Sequence, residues 1–392
     1  MQGPLCHGKE ARGTSDRDQV TRQATQFSIG KLFLLYTLET LSGFVLMKIF
    51  RWIAAAFILL FVAFPSAAKG VELLGAGATF PYPLYSKMFY IYWQATGMKI
   101  NYQAIGSGGG QRQLIKETVD FGGSDAFMTN ETLNRAPAQI LHIPTCLGAV
   151  VITYNLPGSP QLRFTPDLIC DIFLGKITRW NDQRIGEVNS EKNLPDMNIV
   201  VVHRSEGSGT TFVFTDYLSK VSDKWQKRVG RGKAVNWPTG LGSKGNAGVA
   251  GLIKHFPGSI GYVELGYALL NRMPVGLIKN KTGQFIKPST TSTSVAANVP
   301  LPDDMRVSIT NTDAAEGYPI SSFTWILVFK EQAYRGASGE KAEALVKALW
   351  WMTHEGQKYT EPLHYAPLPT NATEKAERLI SEMTYNGTPI FK

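Results

Sequence analysis

The chain has little of what metal, redox or nucleic-acid chemistry requires. It holds three cysteines in 392 residues, and Cys6 lies far from Cys146 and Cys170. No C-x-x-C or H-x-x-x-H spacing occurs and the six histidines are dispersed, which argues against a metal centre and names no cofactor. Basic residues outnumber acidic ones by nine, yet no run of five or more appears, so nucleic-acid binding finds no footprint. Cys146 and Cys170 both sit in apolar settings. Buried thiols and, in an oxidising compartment, a Cys146–Cys170 disulfide both remain open.

A long hydrophobic run is also missing. Trp52 to Phe64 is apolar for thirteen residues, short of the roughly 20 that a membrane span needs. It follows the basic start Met47-Lys48-Ile49-Phe50-Arg51 and precedes Pro65-Ser66-Ala67-Ala68. These are the three parts of a secretory signal peptide, 47–68, with cleavage expected after Ala68. Residues 1–46 fit poorly before such a signal and are expected to be an upstream extension from a start assigned too early. No lipobox cysteine follows the apolar run. The mature chain from Lys69 then has 324 residues with 33 basic and 27 acidic side chains. That length suits two lobes, and the mild positive charge favours anions.

What the chain does have is glycine beside hydroxyl. Ile105-Gly106-Ser107-Gly108-Gly109-Gly110 and Glu206-Gly207-Ser208-Gly209-Thr210 each stand where an apolar strand pattern runs into a helical one. Such places expose backbone N–H groups to an anion. Neither carries the lysine of a P-loop, so a small, desolvated oxyanion is the better guest.

Strand and helix patterns alternate from Leu73 onward, which predicts an α/β fold with helices over a mostly parallel sheet. Lys99 to Ile105, Ala149 to Tyr154, Ile199 to Arg204 and Ser259 to Val263 read as strands. Gln111 to Val119, Thr211 to Val221 and Lys341 to His354 read as helices. The Ser/Thr/Asn/Pro-rich stretch 281–304 is expected to be an exposed excursion. Ligands of such folds lie beyond the carboxyl ends of strands, where both glycine clusters fall.

Two further segments join them. Gly75-Ala76-Gly77-Ala78-Thr79-Phe80-Pro81 offers a hydroxyl and amides at a helix entry, and Gly122-Gly123-Ser124-Asp125-Ala126 places one acid among small residues. Singly, these are a tight turn and a helix cap. Together with Arg204-Ser205-Glu206-Gly207-Ser208-Gly209-Thr210 and Gly258-Ser259-Ile260-Gly261-Tyr262-Val263-Glu264, they closely resemble the PstS family of periplasmic phosphate-binding proteins. Leu174-Gly175-Lys176-Ile177, Trp180-Asn181-Asp182 and Tyr318-Pro319-Ile320 extend the resemblance over essentially all of 73–392.

The resemblance implies a two-lobed periplasmic binding protein of type II with two chain crossings, near Tyr154 and Ile320. Lobe I would comprise 69–154 and 321–392, and lobe II 155–320. It implies a phosphate site made of Thr79, Phe80, Ser107 and Asp125 from one lobe and Arg204, Ser208, Gly209 and Thr210 from the other. Glu206, where the family often has Asp, stays outside the direct ligand set. The partners implied are inorganic phosphate and the permease subunits of an ABC importer with its cytoplasmic ATPase, served by a monomeric receptor in the periplasm.

The chemistry supports that assignment. Phosphate near neutral pH keeps at least one O–H, and sulfate keeps none. An ionised Asp125 can only accept, so it satisfies phosphate and repels sulfate. Arg204 is expected to pair with Asp125 and keep it ionised. An enzyme is a weak rival, because neither Ser107 nor Ser208 fits G-x-S-x-G. A phosphate-binding surface or sensor protein without a transport role is the other alternative.

Overall fold

The computed structural model describes residues 71–391, together with Met47, Lys48 and Trp52. The expected extension 1–46 and signal peptide 47–68 therefore lie outside the described residues but for those three. Among the described residues no helix is long and apolar enough to cross a membrane. Residues from Val71 onward form one compact unit.

The strands that organise this unit are β1 (Glu72–Gly77), β2 (Lys99–Ala104), β3 (Phe121–Ser124), β4 (Ile140–Tyr154), β5 (Arg163–Phe164), β6 (Val200–Arg204), β7 (Leu241–Ser243), β8 (Ser259–Glu264), β9 (Leu277–Lys279), β10 (Phe285–Ile286) and β11 (Ser321–Phe329). Eight of them follow the order β2-β1-β3-β11-β4-β8-β6-β7, and β10-β9-β5 form a small second sheet.

Both ends of the large sheet are parallel: β2, β1 and β3 at one end, β8, β6 and β7 at the other. The two central strands run against them. β11 is antiparallel to β3 and β4, and β4 is antiparallel to β8. The expected mostly parallel sheet thus holds for each end and fails in the middle, where chain crossings must return.

β4 is fully buried along its fifteen residues and serves both halves. Its first part pairs with β11 up to Ala149↔Ser321, and its last part, Val150 to Tyr154, pairs with β8. The Val150 N–H donates to the Ile320 carbonyl at 2.8 Å, so the two connections between half-sheets lie side by side.

Helix Tyr82–Thr96 has Pro83 in its first turn, ends at Gly97 with φ 73° and buries Leu84, Tyr85, Met88, Phe89 and Tyr92 at helical spacing. Helix Ser107–Ile115 begins four residues earlier than Gln111, because its glycines serve packing rather than turn formation. A Cβ on Gly110 would stand 2.5 Å from the Ala76 carbonyl oxygen and 2.6 Å from Gly77 Cα. Only glycine lets this helix lie against β1. Helix Gly209–Val221 is capped by Ser208, whose Oγ accepts from the Thr211 N–H at 3.0 Å.

Stretch 281–304 is not the exposed excursion expected. It contains β10 and helix Thr290–Ala296, which starts with a Ser289/Ser292 capping box and buries Ser292, Thr293 and Ala296. Its serines and threonines are caps and packed hydroxyls. Cys146 and Cys170 are both free and buried; burial pushes the Cys170 thiol up to about 12.

Candidate anion-binding site

The carboxyl ends of β1, β2, β3 and β6 lead into the segments singled out by sequence. Thr79 and Phe80 follow β1, Ser107 follows β2 and Asp125 follows β3. These four are buried. The Asp125 N–H donates to Ser107 Oγ at 3.1 Å. Ser107 Oγ and Thr324 Oγ1 each lie 3.4 Å from one oxygen of the Asp125 carboxylate. Phe80 is held by its carbonyl, which accepts from the Tyr365 hydroxyl at 2.7 Å.

Arg204, at the end of β6, and Ser208, Gly209 and Thr210, at the mouth of helix Gly209–Val221, make the facing cradle. All four are buried. The first N–H groups of that helix lack intrahelical acceptors and point out of its positive end. The two cradles touch directly. The Gly108 N–H donates to the Gly207 carbonyl at 2.8 Å, and Lys233 Nζ donates to Gln111 Oε1. A Cβ on Gly209 would collide with Asp125 Oδ2 and Ser107 Oγ. The structure therefore brings all eight expected residues to one place.

It does not pair Arg204 with Asp125 as expected. The guanidinium is bound to Glu206 Oε1 through Nε at 2.9 Å and through Nη2, and Nη1 donates to Thr210 Oγ1 at 3.1 Å. Among the described residues this is the one ion pair that Arg204 makes. The spacing explains it: Glu206 is two residues along the same turn, within reach of the guanidinium fork.

Asp125 consequently lacks a close cation. Burial pushes its carboxyl up to about 7, opposed by the more distant charge of Arg204 and by Ser107 and Thr324. Glu206 does more than expected. Its Oε1 also accepts from the Gly245 N–H at 3.0 Å, while its Oε2 is buried without a partner.

Sequence reasoning missed a third element. Helix Gly245–His255 follows β7, and its second residue, Asn246, is fully buried. Its Nδ2 donates to Thr79 Oγ1 at 3.0 Å and to Thr210 Oγ1 at 3.1 Å, one from each cradle. The signal was there in Gly242-Ser243-Lys244-Gly245-Asn246-Ala247-Gly248, another small-residue segment between a strand and a helix. Behind the cradles, Glu264 accepts from the Gly266 N–H and the Tyr365 hydroxyl, and burial pushes its carboxyl up to about 8. Among the described residues no cluster of three His, Cys, Asp or Glu is placed to hold a metal ion.

The arrangement can hold a small tetrahedral anion between backbone and hydroxyl donors, one guanidinium and one carboxylate. Comparison with known proteins agrees. A family model described as the PBP superfamily domain matches residues 63–353. The phosphate-binding protein PstS of Pasteurella multocida (strain Pm70) is 43% identical over 328 residues, 81% of this chain and 92% of its own. Its namesake in Xylella fastidiosa (strain 9a5c) is 44% identical over 322 residues, covering 80% and 86%. A solved high-affinity periplasmic phosphate-binding protein, bound with phosphate at pH 8.5, superposes with a TM-score of 0.63 at 20% identity, over 78% of this chain and 93% of its own. At that identity the likeness is one of fold.

Proposed function

The chain belongs to the PBP superfamily and, within it, to the phosphate-binding protein PstS family, and we propose that it captures inorganic phosphate in the periplasm and delivers it to a phosphate ABC importer. The observation that carries this reading is the pair of facing cradles around Asp125, a buried carboxylate with no cation bound to it. Thr79, Phe80, Ser107 and Asp125 take the anion from one side, and Arg204, Ser208, Gly209 and Thr210 from the other. Donors outnumber acceptors, as a dianion requires. The lone acceptor, Asp125, takes the O–H that phosphate keeps and sulfate lacks. Leaving a buried polar group unpaired discriminates by about 10⁴-fold or more.

The two lobes in this reading are 69–154 with 321–392 and 155–320, and the passage of β4 from β11 to β8 at Ala149 and Val150, beside Ile320, supports chain crossings in this region. Phosphate bound between the lobes favours the arrangement in which the cradles touch, and the permease would recognise that surface. The chain is a carrier rather than a catalyst: it holds its ligand and lets it go. Residues 47–68 would direct it across the membrane and be removed, and a monomer suffices.

Calorimetry of the chain from Lys69 with phosphate and then sulfate tests the reading. At pH 9, above the value of about 7 to which burial pushes Asp125, saturable binding of phosphate at a concentration where sulfate gives no heat is expected; sulfate binding as well as phosphate at that pH, or binding of neither, would overturn it.

A further inference from the structure

Thr79 and Thr210 reach the site with their hydroxyl lone pairs already occupied. Thr79 Oγ1 accepts from the Asn246 backbone N–H at 3.2 Å and from Asn246 Nδ2 at 3.0 Å. Thr210 Oγ1 accepts from Asn246 Nδ2 and from Arg204 Nη1, both at 3.1 Å. A hydroxyl has two acceptor positions and one donor. With both acceptor positions filled by N–H groups, each hydroxyl keeps only its proton to offer.

Asn246 cannot turn its amide round to undo this. Its Oδ1 accepts from the Glu264 N–H at 2.9 Å, and the side chain is fully buried. Both Nδ2 protons are therefore spent on the two threonines, which belong to opposite cradles.

We infer that Asn246 is a positioning residue that locks the Thr79 and Thr210 hydroxyls as donors toward the anion, so that neither competes with Asp125 as an acceptor. This rests on the phosphate reading and deepens it. Selectivity by a single acceptor works only if neighbouring hydroxyls cannot accept as well, because a free hydroxyl would take a second anion proton. Asn246 also forms its full set of bonds only when the cradles meet, so it ties hydroxyl polarity to closure.

The test is a set of variants measured by phosphate calorimetry. Asn246→Ala is expected to weaken binding by about 10- to 100-fold, the range for a hydrogen bond involving a charged group. Asn246→Asp, equal in size, should be weaker still, because a carboxylate reclaims both hydroxyl protons. In a Thr79→Val background, Asn246→Ala should cost at least about threefold less than in the unaltered chain. A Thr79→Ser background should preserve its full cost.

Recovery of affinity by Asn246→Asp, or losses that simply multiply in the Thr79→Val background, would reduce Asn246 to a packing role and overturn the inference. Failure of the unaltered chain to bind phosphate would instead overturn the reading beneath it. Thermal unfolding of each variant identifies any that lose their fold; for such a site Asn246→Ser supplies the smaller change, with the same coupling expected.

Discussion

The two cradles face one another with opposite electrostatics. The lobe I cradle, Thr79, Phe80, Ser107 and Asp125, has no cationic side chain in direct contact with its carboxylate, and burial alone drives Asp125 up to about 7. The lobe II cradle holds its charge in a tight pair, Arg204 with Glu206, whose side chains are 1% and 17% exposed. One half is tuned by desolvation and the other by pairing. The first gains selectivity, because its carboxylate responds to a single proton. The second gains attraction, with Glu206 fixing the guanidinium while leaving Nη1 on the Thr210 side of the site.

Removing the paired charge should have the largest effect. Arg204→Ala leaves Glu206 buried and uncompensated, so a stability loss of about 3–5 kcal/mol is expected in thermal or denaturant unfolding. Phosphate binding should fall below detection in the same preparation. Retention of either property would show that the lobe II pair is dispensable.

Next in size is Asp125. Asp125→Asn should weaken phosphate and admit sulfate, reducing discrimination by about 10²-fold or more in competition calorimetry. The unaltered protein offers a matching pH test. Sulfate needs a protonated Asp125, so its binding should strengthen by roughly tenfold per unit as pH falls toward about 7 and level off below it. A pH-independent sulfate response would mean that another group does the selecting.

A smaller loss should follow from Gly209→Ala. The added methyl meets Asp125 Oδ2 and Ser107 Oγ, and overpacking costs about 1–3 kcal/mol. Since the contact exists only between cradles, phosphate affinity should drop and ligand-induced compaction in small-angle scattering should shrink, while unfolding of the free protein changes little. Equal loss in free-protein stability would refute this separation.

The smallest effect on phosphate binding is expected behind the site, where the change appears in the pH dependence of stability instead. Glu264 is held at about 8 by burial, above its unfolded value of about 4.3. Its contribution to stability is fully present below the unfolded value and is lost as pH rises through about 8. Glu264→Gln should therefore flatten the fall of unfolding free energy between about pH 5 and pH 8, by at most about 1.4 kcal/mol per unit. An unchanged slope would place that pH dependence elsewhere.

Much of this was legible in sequence, because strand-to-helix junctions rich in small residues are dictated by backbone chemistry. Thr79, Ser107, Asp125 and Ser208 through Thr210 could be found as polar groups at such junctions, and the structure brings them together. What stayed hidden depended on contacts between distant segments. The start of helix Ser107–Ile115 was misplaced because glycine opposes helix by propensity, and only the approach of Gly110 to β1 justifies it. The partner of Arg204 was misassigned because charge complementarity cannot choose between Asp125 and Glu206 without geometry. Asn246 was overlooked because its role is to bridge two hydroxyls that sequence places far apart. The burial of helix Thr290–Ala296 escaped for a related reason: hydroxyl-rich composition looks the same in a loop and in a capped, packed helix.

The handover within β4 bears on how such a receptor moves and diversifies. Ser321 lies beside Ala149, and Val150 is bonded to Ile320, so both connections form one short piece of main-chain ladder. A strand paired on both sides of this point resists sliding, and bending is the motion left to it. The pivot is thus written in backbone, which side-chain substitution scarcely alters. Substitutions at the cleft can therefore change which groups meet there without touching the ladder that joins the two halves of the sheet.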